Sequence, residues 1–238
     1  MKYIEKDYNA SAVLDHKQEL IKCQLDELSL LDVNCRYYKE TGSRLYNLVK
    51  DMITFADLNK QMFRDQGGIC CYCGMKLEYP YNPQFIVEHV KPKQKYPELV
   101  GEYKNLLLSC RPSQEEVRLR SAFPKKERKE LKHCDEAKES KEITYSPLTP
   151  NCEKAFIYGI DGSITGVDEA ANKDIETLGL GCDYLKLRRS EAISVWLDDE
   201  ITSEDLLKCR DVIMSRDNEN RLTEFCFVIS NVIEQFLS

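Results

Sequence analysis

Apolar side chains recur at Val13, Leu14, Ile21, Leu25, Leu28 and Leu31, an imperfect helical stripe over residues 11–31. A polar stretch from Asn34 to Gly42 interrupts it. A stronger stripe then carries Leu45, Leu48, Val49, Met52, Ala56, Met62 and Phe63, with Ser43 placed as its N-cap and Gly67-Gly68 as its stop. This second helix delivers the chain into a cysteine-rich segment. Pro80, Asn82 and Pro83 mark a turn, after which Phe85-Ile-Val-Glu-His-Val90 reads as a short strand. Between Lys154 and Thr165 the apolar positions Ala155, Ile157 and Ile160 alternate ahead of Asp161-Gly162, which predicts a two-residue hairpin turn. Helical patterns close the chain over residues 168–178, 183–199 and 203–237, the last with a break near Asp217-Asn218 and a clean stripe of Leu222, Phe225, Cys226, Ile229, Ile233 and Phe236. The pattern therefore predicts an α+β chain, mostly helical, with its strands in the middle and no internal repeat.

Composition narrows the setting. A chain of 238 residues can bury a sizeable apolar core. Its 11 cysteines are odd in number, and Met1-Lys-Tyr-Ile-Glu-Lys-Asp-Tyr8 has no apolar leader, so reduced thiols in a cytoplasmic protein are expected rather than a secreted disulfide framework. No apolar run approaches the roughly 18 residues of a membrane span. The net charge of −7 runs against nucleic-acid binding unless the basic residues are gathered locally or a partner supplies them.

Four short motifs hold the chemistry. Cys70 and Cys73 are spaced to clamp one side of a tetrahedral ion, and Cys110 and Cys134 can complete a structural zinc set if residues 111–133 loop out. A CxxC pair alone also suits thiol redox chemistry. Glu88 and His89 share the end of the predicted strand, where neighbouring side chains point to opposite sides. A histidine with an ordinary pKa of about 6.5 is a natural general base, and a carboxylate is a hard oxygen ligand for Mg²⁺ or Mn²⁺. Asp135, following Cys134, can supply the second oxygen, while Asn105 lies five residues before Cys110. Hydrolysis of a phosphodiester needs such a base, such an ion and a group to hold the base in line.

In this order the motifs resemble those of the HNH, or ββα-metal, endonucleases, over residues 68–141. The resemblance implies His89 as general base, Asn105 as the residue orienting it, Glu88 and Asp135 as ligands of a catalytic Mg²⁺ or Mn²⁺, and Lys138 as a phosphate contact. It also implies Cys70, Cys73, Cys110 and Cys134 as ligands of structural Zn²⁺. Gln66-Gly-Gly-Ile-Cys-Cys-Tyr-Cys73, Glu88-His-Val-Lys-Pro-Lys93, Asn105-Leu-Leu-Leu-Ser-Cys110, His133-Cys-Asp135, Ile175-Glu-Thr-Leu-Gly-Leu180 and the Leu185-x-x-Arg188-Arg189 helix are similar, more narrowly, to the PtuB family, the HNH subunits of Septu and retron-associated anti-phage systems. The partners implied are an ABC-type ATPase (PtuA-like) and, in retron-linked forms, a reverse transcriptase with its msDNA. The expected organisation is an N-terminal helical region at 1–67, a zinc-braced HNH module at 68–141, and a hairpin with C-terminal helices at 142–238.

The chain departs from the family pattern in two places. Glu88 stands where many members have Asp, and a basic insertion with Arg118, Arg120, Lys125, Lys126, Arg128, Lys129 and Lys132 separates Cys110 from Cys134. The insertion reads as a solvated helix face or as a substrate-binding arm. Lys91, Lys93 and Lys95 form a second basic patch and Lys186, Arg188 and Arg189 a third, with Lys91 and Lys93 the candidate nucleic-acid contacts nearest His89. His133 is open to ligand, phosphate or packing roles, and Cys71 is an alternative to Cys70. His16 and the remaining cysteines read as packing residues. With no groove-reading element, the substrate is open between DNA and structured RNA such as tRNA. The competing reading is a non-catalytic zinc scaffold.

Overall fold

The computed structural model describes residues 1–7, 42–47, 55–79, 85–197 and 201–237. The helix expected over 11–31, together with His16, Cys23 and Cys35, lies outside them. Residues 42–47 are helical, so Ser43 stands inside a helix rather than at its cap. Helix α1 (Phe55–Asp65) buries Leu58, Met62 and Phe63 and stops where expected, because Gly67 and Gly68 take left-handed φ values of 64° and 70°. Gln66, between helix and glycines, is buried. Its amide donates to the carbonyls of Ile69 (2.8 Å) and Leu108 (2.9 Å) and accepts from Leu108 N (2.6 Å), which straps the CxxC segment to the sheet.

Strands β1 (Phe85–His89) and β2 (Leu106–Cys110) pair antiparallel, with Phe85 opposite Cys110 and His89 opposite Leu106. Every residue of β2 is buried. Its three leucines each contribute about 1.5–3 kcal/mol of apolar burial, which fixes the register that carries Glu88 and His89. Two short 3-10 turns, Pro97–Leu99 and Tyr103–Asn105, shape the connection between the strands. The insertion then forms helix α2 (Gln114–Ser121), N-capped by the Ser113 hydroxyl, and the chain enters the one-turn helix α3 (Asp135–Lys138) directly from Cys134.

A second antiparallel pair, β3 (Phe156–Tyr158) with β4 (Ile164–Gly166), occupies the expected hairpin. Its turn is five residues, 159–163, and not the two predicted. The Asp161 carboxylate accepts from Ser163 N (3.0 Å), and Gly162 at φ 78° leaves room for the Lys186 carbonyl, which would meet an added Cβ at 2.0 Å. Helices α4 (Glu169–Leu178), α5 (Asp183–Ser194), α6 (Ser203–Met214) and α7 (Cys226–Leu237) follow. The break in the last pattern is wider than expected, because the chain turns through Asn220 (φ 62°) and Phe225 (φ 55°) before α7 begins. Helix α7 packs on α6, α5 and β3, burying Cys226, Val228, Ile229, Val232 and Ile233. The N-terminal segment joins the same core through Met1, Ile4 and Lys6, with Ile4 N donating to Pro147 O at 2.8 Å. Mixed helix and strand is thus the observed class. Among the described residues, no helix is long and apolar enough to cross a membrane.

Candidate metal centre and adjoining carboxylate site

Cys70, Cys73, Cys110 and Cys134 are buried, and their sulfurs all lie within 4.8 Å of one another. The Cys70–Cys134 and Cys73–Cys110 sulfur distances are 3.8 and 3.7 Å. A zinc ion about 2.3 Å from each of four tetrahedral sulfurs sets them about 3.8 Å apart, so the cage has the dimensions of that ion and is far wider than a disulfide of about 2.05 Å. The backbone is arranged to receive negative sulfur. Cys110 N points at Cys70 Sγ (3.3 Å) and Met75 N at Cys73 Sγ (3.5 Å), the latter allowed by a turn at Gly74 with φ 86°. Burial raises the thiols of Cys73 and Cys134; at Cys110 the hydrogen bond with Cys134 lowers the thiol, but those with Cys70 and Cys73, together with burial, outweigh it. At Cys70 burial acts the same way, but hydrogen bonds from the other sulfurs outweigh it and hold that thiol well below its usual value. Four buried thiolates need a cation, and a metal such as zinc fits.

The cage is built from three directions. Gln66 and the glycine stop present Cys70 and Cys73, β2 ends on Cys110, and Cys134 arrives with φ 57° and ψ −133°, a backbone state costing on the order of 1–3 kcal/mol for a residue with a side chain. Cys134 N donates to Leu178 O at 2.7 Å, which holds it there. Behind that contact Gly179 ends α4 at φ 59°, and an added Cβ would meet Lys132 O at 2.1 Å. Arg189 donates to Leu180 O (3.0 Å) and Gly162 O (2.7 Å), tying the same corner to the hairpin. The Ile175–Leu180 and Arg189 motifs therefore act structurally, as the rear support of the cage.

On β1, facing the same side of the sheet as Ser109, Glu88 is buried at 2 % exposure. Its Oε1 accepts from the Tyr72 hydroxyl at 2.8 Å and pairs with Lys138 Nζ at 2.7 Å. Asp135 meets the same carboxylate, and burial followed by its hydrogen bond with Glu88 raises its pKa to about 8. Two carboxyl groups that share a proton form the arrangement a divalent cation would replace. His89 is 5 % exposed, with Tyr46 edge-on at 4.8 Å between ring centres. Its Nε2 lies 3.1 Å from the Val100 carbonyl, which can only accept, so Nε2 carries the proton and the neutral ring keeps its lone pair on Nδ1. Burial, then the Lys93 charge, lowers its pKa to about 4.

Asn105 acts on a loop and not on the ring. Its Oδ1 accepts from Lys91 N (2.7 Å), and its Nδ2 donates to Lys91 O (3.0 Å) and Leu99 O (3.3 Å). That closes the 90–105 connection and sets the Val100 carbonyl over His89. Lys91 is drawn to Glu142 at 2.9 Å, as is Lys95 at 3.1 Å, whereas Lys93 lies over the Tyr46 ring at 4.9 Å beside His89. Lys138 is wholly buried, and its ammonium is given to Glu88 and to His89 O (3.1 Å), so the position expected to touch phosphate is an internal brace. Nor do Lys186, Arg188 and Arg189 form a patch: Lys186 pairs with Asp161 at 2.7 Å, Arg188 with Glu191 at 3.1 Å, and Arg189 is buried.

Three contributors were assigned no role by the motifs. Tyr72, inside the CxxC loop, reaches across to Glu88, while Tyr46 and Arg111 stand at the edge of the site, where burial, then the Asp135 charge, raises the Tyr46 hydroxyl to about 12 against the opposing Arg111 charge. Tyr72, between Cys70 and Cys73, and Arg111, immediately after Cys110, had a positional signal, and Tyr46 had none. His133 is not one of the four sulfurs' equals and is 3 % exposed, so it faces neither solvent nor phosphate. Cys71 is buried outside the cage. The chain matches no protein-family model and no curated protein.

Proposed function

We propose that the chain is a metal-dependent endonuclease of the HNH type that hydrolyses phosphodiester bonds in DNA or in structured RNA such as tRNA. The observation that carries this reading is the convergence of the Glu88 and Asp135 carboxylates beside a histidine whose proton is pinned on Nε2 by the Val100 carbonyl. Strands β1 and β2 with helix α3, clasped by four cysteines, are consistent with a ββα-metal module. Lysine and arginine are also gathered where they are needed, since residues 68–141 hold 15 of them against 11 acidic residues in a chain of net charge −7.

His89 Nδ1 would take a proton from water as the new oxygen–phosphorus bond forms and the ester oxygen departs with the electrons of the broken bond. Glu88 and Asp135 would hold Mg²⁺ or Mn²⁺, which neutralises charge on the phosphate and the leaving oxygen. Asn105, through the loop it closes, keeps the ring in the base tautomer. Lys93 and Arg111 are better placed for phosphate than Lys138. The motif resemblance further supports a role as effector of an anti-phage complex with an ABC-type ATPase, retron-linked in some settings.

A specific observation favours a second reading, a zinc-braced scaffold without catalysis: Lys138 already neutralises Glu88, and His89 is almost enclosed. Incubating the purified chain, alone and with its ATPase partner, with plasmid DNA and total RNA separates the two. The nuclease reading expects cleavage with Mg²⁺ or Mn²⁺, none with EDTA, and at least a hundredfold loss in His89→Ala, the usual scale of general-base catalysis. Equal cutting by that variant refutes it.

A further inference from the structure

We propose that His133 is a positioning residue of the cysteine cage, linking its sulfurs to the 111–133 insertion so that metal in the cage holds α2 in place. The proposal rests on the metal reading of the four cysteines and is independent of the nuclease reading. His133 Nδ1 lies 3.3 Å from Cys134 Sγ and 3.8 Å from Cys110 Sγ, and Nε2 lies 3.0 Å from Glu116 Oε1. Glu116 is 1 % exposed although it belongs to a helix whose other side chains largely face solvent. It also pairs with Arg120, whose second amino group reaches Glu136 Oε2 at 2.5 Å on α3, next to Asp135. A continuous polar chain thus runs from cage sulfur through His133, Glu116 and Arg120 to α3.

The direction of the coupling follows from donor chemistry. Cysteines that bind metal are thiolates and can only accept, so Nδ1 must present its proton to them. Uncharged thiols bring their own protons and make no such demand. Tyr184, stacked on the imidazole with 6.0 Å between ring centres and 6° between planes, keeps the ring from turning to other partners. A buried carboxylate is tolerated only while it is paired. Loosening His133 therefore loosens Glu116, and with it α2.

The test uses the full chain loaded with zinc or Co²⁺, and the variant His133→Phe, which keeps the stacking and loses both nitrogens. The expected results are roughly 10–100-fold weaker metal retention against a competing chelator, the usual scale for an outer-sphere partner; a shifted sulfur-to-Co²⁺ charge-transfer band; and trypsin cleavage at the exposed Lys125 and Lys126 in the metal-loaded variant, as fast as in the metal-free parent. Should His133→Phe not fold, Glu116→Gln preserves the shape and is expected to move the same band and expose the same sites. An unchanged band with unchanged chelator resistance overturns the proposal in either variant. So does an insertion equally resistant to trypsin with and without metal in the parent.

Discussion

Replacing Lys138 with methionine tests the buried pair on which the carboxylate site is built. The side chain has similar length and apolar volume, but it removes the ammonium that stands 2.7 Å from Glu88 Oε1 and 3.1 Å from His89 O. Both partners are buried, so Glu88 would be left with the Tyr72 hydroxyl and Asp135. Breaking a buried pair by deleting one member costs about 3–5 kcal/mol. The lower end applies here, because Asp135 can still share its proton with Glu88. In a chain of this size, about 3 kcal/mol lowers Tm by roughly 6–12 °C.

Thermal unfolding of the zinc-loaded protein in magnesium-free buffer reads this directly. Lys138→Met should fall by that amount, and the double variant Glu88→Gln/Lys138→Met should recover most of it, because no buried charge is then left unpaired. Mn²⁺ should stabilise Lys138→Met more than the parent, since its two carboxylates have lost their competing cation. A cation at about 100 times its Kd adds about 2.7 kcal/mol. A single variant within about 0.5 kcal/mol of the parent, the usual size of a surface substitution, would refute the pairing. A double variant as unstable as the two singles added together would refute the coupling.

Three further outcomes are expected. Burial lowers the Lys6 pKa from 10.5 to about 7, so between those values only the unfolded chain holds that proton, and the parent should gain about 1.4 kcal/mol of stability per pH unit relative to Lys6→Met as pH rises from about 7; denaturation of both proteins across pH 7–10 checks the slope, and parallel curves reject it. Asn105→Ala removes three bonds to the 90–105 loop and should cost about 1–3 kcal/mol while speeding amide exchange at Lys91, whose N–H it leaves unpaired; unchanged exchange there counts against the loop role. Gly179→Ala adds left-handed strain of roughly 1–2 kcal/mol and forces Lys132 O away, so it should weaken metal retention through Cys134 although it lies outside the cage; retention equal to the parent's rejects that support.

The sequence held the cage almost completely, because metal ligands advertise themselves by residue type and spacing. Cys70, Cys73, Cys110 and Cys134 needed only a loop that returns, and the loop returns. What spacing could not carry was which partner each polar group takes. Lys138 has the look of a phosphate contact until burial gives it to Glu88, and Asn105 has the look of a partner for the ring until its amide is found on the loop backbone. The hairpin at 154–165 was legible from its alternation, yet its turn length was set by Lys186 and Arg189, which lie more than twenty residues downstream. Strand β2 has no alternation to read, being buried on both faces. The insertion had the look of a free basic arm because charge patterns do not distinguish an exposed lysine from an anchoring Glu116 or Arg120.

The net charge of −7, awkward for the proposed nuclease, is unevenly distributed along the chain. Residues 142–238 hold nine basic and 19 acidic side chains, so the tail carries −10 while the segment with the cage and the carboxylates carries +4. Surface charges act within a Debye length of about 8 Å at physiological salt, so a phosphate near Lys93 and Arg111 responds to those neighbours more than to the total. Within the basic segment, moreover, several cations are already answered internally: Lys91 and Lys95 by Glu142, Lys138 by Glu88, Arg120 by Glu116 and Glu136. Among the described residues, Lys93, whose charge acts on His89 and Asp135, and Arg111, whose charge acts on Tyr46, have no such ion pair. If nucleic acid is the substrate, reversing either charge should weaken binding more than reversing any of the paired ones and should lower the salt dependence by about one counterion, roughly 0.9 in the slope of log K against log salt for a duplex. Equal losses at Lys91 and Lys93 would mean that the total charge, and not this arrangement, draws the substrate in.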